Sequence, residues 1–333
     1  MTTLIDIPDV VLDQVLEFCD FRAIICLRKV CHALRDYIDL AIPDARLPSL
    51  ELSVLEDSVV VRYGKFGTVQ YAKEENGCSL DSGYLAERKL FENQNFMVLF
   101  FNDIKFVIKH QKTTLDMCNL RCLAESSLEK FLGELEDVLK SRKTFLKSKE
   151  IHIEITDHRN VLSYLPYLDS NSLKNIWIFD TMGREPKELL ELRELANLEQ
   201  WKNAKQIGIP AFFILNNDLG QFLHLRHSLF CLETVTMLNL EFLREKIISS
   251  EEIEILDFNY TNFEGNDQSL IEMFGMVSVQ DENGKKWYFK KEENHKERKI
   301  WEFSHETSEN PRFAFRSLKE DQVPEGAVIK VLS

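Results

Sequence analysis

Few residues of this sequence could do chemistry, and their spacing limits what that chemistry is. His224, His227 and Cys231 stand at i, i+3 and i+7, which on one face of a helix would supply three metal ligands. A fourth ligand is missing, and Leu223, Leu225 and Leu229 mark the segment as packing surface, so no metal is expected. Cys118 and Cys122 lie at a strand and its exit, outside any CxxC redox spacing. Asp157-His158 has the makings of an acid–base pair, but no nucleophile stands in a G-x-S-x-G context. The 12 glycines form no phosphate loop. An enzyme would need a convergent polar cluster, for instance around His152, Asp157 and His158. The expectation is therefore no catalysis and no cofactor. What remains is aromatic: Trp177 and Phe179 alternate with Ile176 and Ile178, so on a strand the two rings share one face.

The elements that position these residues follow from periodicity. From Leu4 to Ile38 three short helical stripes succeed one another. Pro8 opens the first, which carries Val11, Leu12, Val15, Leu16 and Cys19. Asp20 caps the second, with Ile24, Ile25 and Leu27, and the third carries Val30, Leu34, Tyr37 and Ile38 before Pro43. Three helices this short cannot bury all their apolar surface among themselves, so part of it must pack on the rest of the chain. Strands are predicted over 50–54, 57–63 and 67–72, with Asn76-Gly77 as a turn, while 78–94 carries no clear period. A helix over 95–110 leads to Leu115-x-x-Cys118-x-Leu120. Short apolar alternations return at 151/153, 176/178, 207/209, 235/237 and 253/255, separated by helical stretches at 125–143, 161–168, 187–201, 219–230 and 240–249.

This alternation predicts an α/β fold, a degenerate leucine-rich-repeat-like arc of parallel strands backed by helices. Small antiparallel β pieces flank it, the last around Glu282-Asn283-Gly284 with strands near 298–304 and 312–316. Four segments result: 1–42, a β-rich connection over 43–94, the repeat-like domain over 95–275 and a C-terminal β appendage over 276–333. The net charge of −14 argues against a nucleic-acid partner, and no apolar run is long enough to span a membrane. Seven cysteines without close pairing point to a reducing, intracellular compartment, cytoplasm or nucleus.

The run Ile7-Pro8, Val11-Leu12, Val15-Leu16, Phe18, Leu27-Arg28, Val30-Cys31 and Leu34-Arg35 resembles an F-box. Cys19 stands where that family usually has Leu, and Leu34 where Trp is common. The resemblance implies docking on a Skp-type adaptor and, through it, on a cullin–RING ubiquitin ligase. It implies adaptor contacts from Ile7, Pro8, Val11, Leu12, Val15, Leu16, Val30 and Cys31, some of which must instead hold the helices together. Further on, Asn76-Gly77-Cys78, the run from Asn102-Asp103-Ile104 through Gln111-Lys112, and Gln200-Trp201-Lys202-Asn203-Ala204-Lys205 resemble the FTH domain over roughly 70–265. That domain follows the F-box in a large nematode family, and the resemblance implies a module that binds a substrate or partner. The alternative role is a scaffold that joins adaptor and partner without ubiquitination.

If the inward positions are those of the alternation above, Asn119, His152, Trp177, Gly208, Thr236 and Glu254 face outward. Arg121, Glu154, Phe179, Pro210, Leu238 and Leu256 follow at the next outward step. The expected target-binding residues are His152, Trp177, Phe179, Pro210 and Leu238, an apolar centre with a polar rim.

Overall fold

The computed structural model describes residues 4, 7–82, 88–124, 127–155, 157–181, 188–282, 284–291, 299–307 and 309–332. The chain forms two compact units, Met1–Lys174 and Asn175–Ser333.

The first unit begins with α1 (Asp9–Phe18), α2 (Phe21–Arg28) and α3 (His32–Ala41). Each start has a local cause. The Pro8 carbonyl accepts from Val11 and Leu12 N–H, and the Asp20 carboxylate accepts from Ala23 N–H at 2.8 Å. The Cys31 thiol accepts from Leu34 N–H at 3.5 Å. Leu16, Ile24 and Ile38 form the small core between the helices.

An antiparallel meander follows: β1 (Ser49–Leu55), β2 (Ser58–Arg62), β3 (Thr68–Glu74), β4 (Gly77–Ser82) and β5 (Lys89–Glu92). Next come α4 (Phe96–His110), β6 (Leu115–Cys122), α5 (Leu128–Lys140) and β7 (Ser148–Ile155). β6 returns parallel to β1 and β7 parallel to β6, giving the order β5-β4-β3-β2-β1-β6-β7. Phe100 of α4 packs on Tyr71 of β3 and on Phe131 of α5, at ring distances of 5.7 and 5.6 Å.

The three short helices are anchored to this layer. Phe21 lies 5.1 Å from Tyr63 and 6.0 Å from Phe66. Phe106 of α4 packs against the Leu16–Ile24–Ile38 core, with the Arg28 guanidinium 4.5 Å above its ring. That guanidinium also binds both oxygens of Asp39, at 2.7 and 2.9 Å. Part of the apolar surplus read from the sequence is buried here.

The second unit opens with β8 (Asn175–Asp180), α6 (Leu192–Leu195), α7 (Glu199–Asn203), β9 (Gln206–Phe213) and β10 (His227–Thr236). α8 (Met237–Ser249), β11 (Ile255–Glu264) and α9 (Asp267–Phe274) continue it. It ends with β12 (Val279–Gln280), β13 (Gly284–Lys291), β14 (Ile300–Glu306), β15 (Arg312–Leu318) and β16 (Ile329–Leu332). β8 to β11 are parallel neighbours, and β15 then joins β11 antiparallel, followed by β14 and β13. The C-terminal strands therefore extend this unit's sheet. Phe274 of α9 holds them, stacked on Phe303 at 4.0 Å beside Phe289 and Phe315.

Several sequence expectations change. The predicted helix over 219–230 is a 3₁₀ turn over Asn216–Phe222 followed by β10, so His227 and Cys231 sit on a strand and share no helical face with His224. Burial of this strand within the sheet leaves its alternation indistinct, which is why it mimicked a helix. Met237 does not continue that strand. Thr236 caps α8 through Asn239, and the capping box turns the chain into a helix. Leu238 therefore lies on α8, outside the strand row predicted for it. Leu256, expected to face outward, is fully buried with Ile253 and Phe258, while Ile255 is half-buried. Ile253 precedes the first residue of β11, so the period-2 phase had no strand to run through.

Candidate partner-binding surfaces

The α1–α3 segment divides its apolar residues into two sets. Leu12 and Leu16 are 3 % and 2 % exposed and face the core. On the other side of the same helix Phe18 is 91 % exposed and Val10 71 %, with Val11 also exposed and Val15 half-buried. At 100° per residue, Phe18 falls one heptad beyond Val11 and opposite the Leu12–Leu16 edge. Val30 is 67 % exposed, Pro8 is exposed, and Ile7 and Cys31 are half-buried. Of the eight expected adaptor residues, six thus have side chains at least partly accessible and two are committed to packing. Phe18 belongs to the same face and stood outside that set. Its heptad relation to Val11 was the signal in the sequence.

The frame behind this face is polar as well as apolar. Tyr37 Oη bonds to Asp9 O at 3.0 Å and Asp13 Oδ1 at 2.8 Å, tying α3 to α1. The hydrogen bond from Arg28 holds the Asp39 carboxyl below the usual carboxylate range, against a smaller opposing effect of burial. Asp103 of α4 accepts from Tyr71 Oη at 2.8 Å, and desolvation of its carboxyl pushes that group up.

The strand rows read from the sequence as outward have different characters in the two units. In the first unit Glu51, Asn119 and His152 are register neighbours. His152 Nε2 meets Glu150 Oε1 at 2.5 Å, Arg121 pairs with Glu154 at 2.7 Å and Arg62 with Glu51 at 3.6 Å. This is a charged lattice.

In the second unit the Trp177 ring lies over Gly208, its register neighbour on β9, so close that a Cβ on the glycine would be 2.1 Å from it. Phe179 stacks 5.9 Å from Trp177 with the ring planes 4° apart. Gly208 neighbours Leu229, which in turn neighbours Asp257. Burial raises the Asp257 carboxyl while Arg316 and Arg312 oppose the shift, at 3.6 and 3.8 Å. These arginines come from β15 and escaped sequence reading, because the β11–β15 pairing joins distant parts of the chain.

Pro210, half-buried on β9, has no N–H for the ladder. The β9–β10 pairing accordingly jumps from Gly208↔Leu229 to Phe213↔Cys231. The Cys231 thiol donates to Pro210 O at 3.1 Å, and burial pushes that thiol up to about 12. Leu238 stands apart on α8, 75 % exposed.

The three residues first considered as metal ligands are engaged separately. His224 Nε2 lies 3.0 Å from Trp201 O, His227 Nε2 lies 3.1 Å from Glu254 Oε2, and Cys231 bonds as above. Among the described residues no group of three or more His, Cys, Asp or Glu could hold a metal ion, and no helix is long and apolar enough to cross a membrane.

No curated protein and no solved structure matches the chain. Two family models do: the F-box domain over residues 4–43 and the FTH domain over residues 129–276. The exposed apolar face described above lies within the first match, and Trp177, Phe179 and Pro210 lie within the second. The chain carries an N-terminal F-box followed by an FTH domain.

Proposed function

We propose that this protein is the substrate-recognition subunit of a Skp–cullin–F-box ubiquitin ligase, with α1–α3 docking a Skp-type adaptor and the FTH region holding a protein target. The observation that carries this reading is the exposed apolar face of α1, led by Phe18 at 91 % exposure, within the F-box match. Apolar side chains exposed together are typical of an interaction site. F-box and FTH domains are typically non-catalytic adaptors, so the contribution is proximity: the target's lysines are held near the ubiquitin-charged enzyme. The adaptor contacts are Ile7, Pro8, Val11, Val15, Val30 and Cys31, joined by Phe18, with Leu12 and Leu16 supporting them from within. Target contacts are assigned to Trp177, Phe179 and Pro210 of the second unit. The rigid anchoring of α1–α3 on α4 and the meander supports this reading, because it fixes the adaptor's orientation relative to the first unit. Co-purification with a Skp-type adaptor tests it. Failure of the intact protein to bind, while a control F-box protein binds, would remove the proposal.

A further inference from the structure

We propose that a cavity at the C-terminal end of β9, beside the middle of β10 and β11, receives an arginine side chain of the bound target. This rests on the reading that the protein captures a protein target, and it names the chemistry by which that target is recognised. The cavity holds about 190 Å³ and is lined by Phe213, Cys231, Asn259, Thr261, Glu309 and Asn310, with Tyr260 and Pro311 at its edge. Its floor is one register row, Phe213↔Cys231↔Asn259. Its wall is the turn before β15, fastened by Tyr260 N–H to Pro311 O at 3.1 Å. Register places this row on the same sheet face as Gly208 and the Trp177 ring that covers it. The room arises from the β9 irregularity at Pro210.

Size and chemistry narrow the occupant. Small-molecule sites enclose roughly 300–1,000 Å³, so this cavity suits one long side chain better than a cofactor. The lining supplies acceptors: the Glu309 carboxylate, the amide oxygens of Asn259 and Asn310, and the Thr261 hydroxyl. Among the described residues no basic side chain lines it. Arg312, next to Asn259 in the ladder, is held by Glu306 at 2.7 Å. Glu233, exposed and two residues beyond Cys231 on the same strand, adds negative charge at the rim. The Cys231 thiol is engaged by Pro210 O and by Asn259. Phe213 and Cys231 can flank an aliphatic stem while the acceptors meet its charged head. Several acceptors spread around one space match a planar guanidinium with five donors better than a single ammonium point.

The test uses the full chain and immobilised nonapeptides that are degenerate except for one fixed central residue. Arginine-fixed peptides should be retained at least about tenfold more than glutamine- or glutamate-fixed ones, with lysine between them. Glu309 is exposed, so Glu309→Gln should leave the melting temperature unchanged and cut the arginine preference about tenfold. Equal retention, no retention, or preference for an apolar or acidic residue overturns the inference. So does an arginine preference that survives both Glu309→Gln and Asn310→Ala. Adaptor co-purification on the same preparations separates this failure from failure of the ligase reading.

Discussion

Phe18 and Leu16 sit two residues apart on one helix and should behave oppositely. Phe18→Ala removes an exposed ring and should weaken adaptor binding by about 2 kcal/mol or more, in the manner of an interface hot spot. Its effect on stability should stay within about 0.5 kcal/mol. Leu16→Ala empties a core position and should cost about 2–5 kcal/mol of stability. Calorimetric titration with the adaptor and thermal melts on both variants check the pair, and equal loss of stability would refute the division of faces. At Gly208 the chemistry is steric. Gly208→Val places a side chain where the Trp177 ring lies, and should cost about 1–3 kcal/mol as an overpacking substitution. Removing the ring as well should recover part of that loss, so the double variant Gly208→Val/Trp177→Ala should be more stable than additivity allows. A strictly additive cycle would mean that the ring does not cover the glycine in solution.

At the scale of elements, the seating of α1–α3 on the rest of the first unit depends on a few contacts of α2. Arg28 binds Asp39 of α3 and covers Phe106 of α4, while Phe21 reaches Tyr63 and Phe66. The Arg28–Asp39 pair is about a third exposed on each side, so its screened contribution is on the order of 1 kcal/mol. Arg28→Ala should raise amide hydrogen exchange in α2 and α3 several-fold while leaving β6 and β7 protected. Asp39 has a lowered folded-state pKa, so its share of stability is present above its ordinary pKa and is lost as pH falls through the lowered value. Unchanged exchange in α3 would mean that the apolar contacts alone seat the helices.

For the whole molecule, the buried histidines among the described residues, His110 and His305, should limit stability in acid. His110 in the first unit bonds through Nδ1 to Pro43 O at 3.0 Å, and its Nε2 is buried without a partner. His305 in the second bonds through Nε2 to Tyr260 Oη at 2.6 Å, and its Nδ1 is likewise buried without a partner. Burial lowers both from 6.5 to about 4. The unfolded chain therefore binds more protons between those values, and stability is full above pH 6.5 and falls as pH drops through about 4. Each histidine contributes up to about 3 kcal/mol to that loss. Denaturant melts between neutral pH and pH 4.5 should show the decline, and His110→Leu should flatten it in part. A His110→Leu curve parallel to that of the unchanged protein would show that the carboxylates dominate instead.

Local signals carried much of the architecture. Pro8, Asp20 and the apolar stripes specify α1 and α2 because capping and 3.6-residue periodicity act over a few neighbours. Ile151/Ile153, Ile176/Ile178 and Ile207/Ile209 specify the phase of β7, β8 and β9, since one buried face imposes strict alternation. The F-box was legible for the same reason, being written in one contiguous stretch. Tertiary structure decided what depends on partners distant in the chain. Val15 and Leu16 are similarly apolar, and only the position of Ile24 and Ile38 turns Leu16 inward. β5, exposed along most of its length at a sheet edge, carries no alternation to read. β10 is buried on both sides at Phe230, Cys231 and Leu232, which erases the period that would have separated strand from helix. The cavity beside Cys231 is likewise a product of pairing: Phe213, Asn259 and Glu309 meet only because β9, β10, β11 and the turn before β15 are brought side by side.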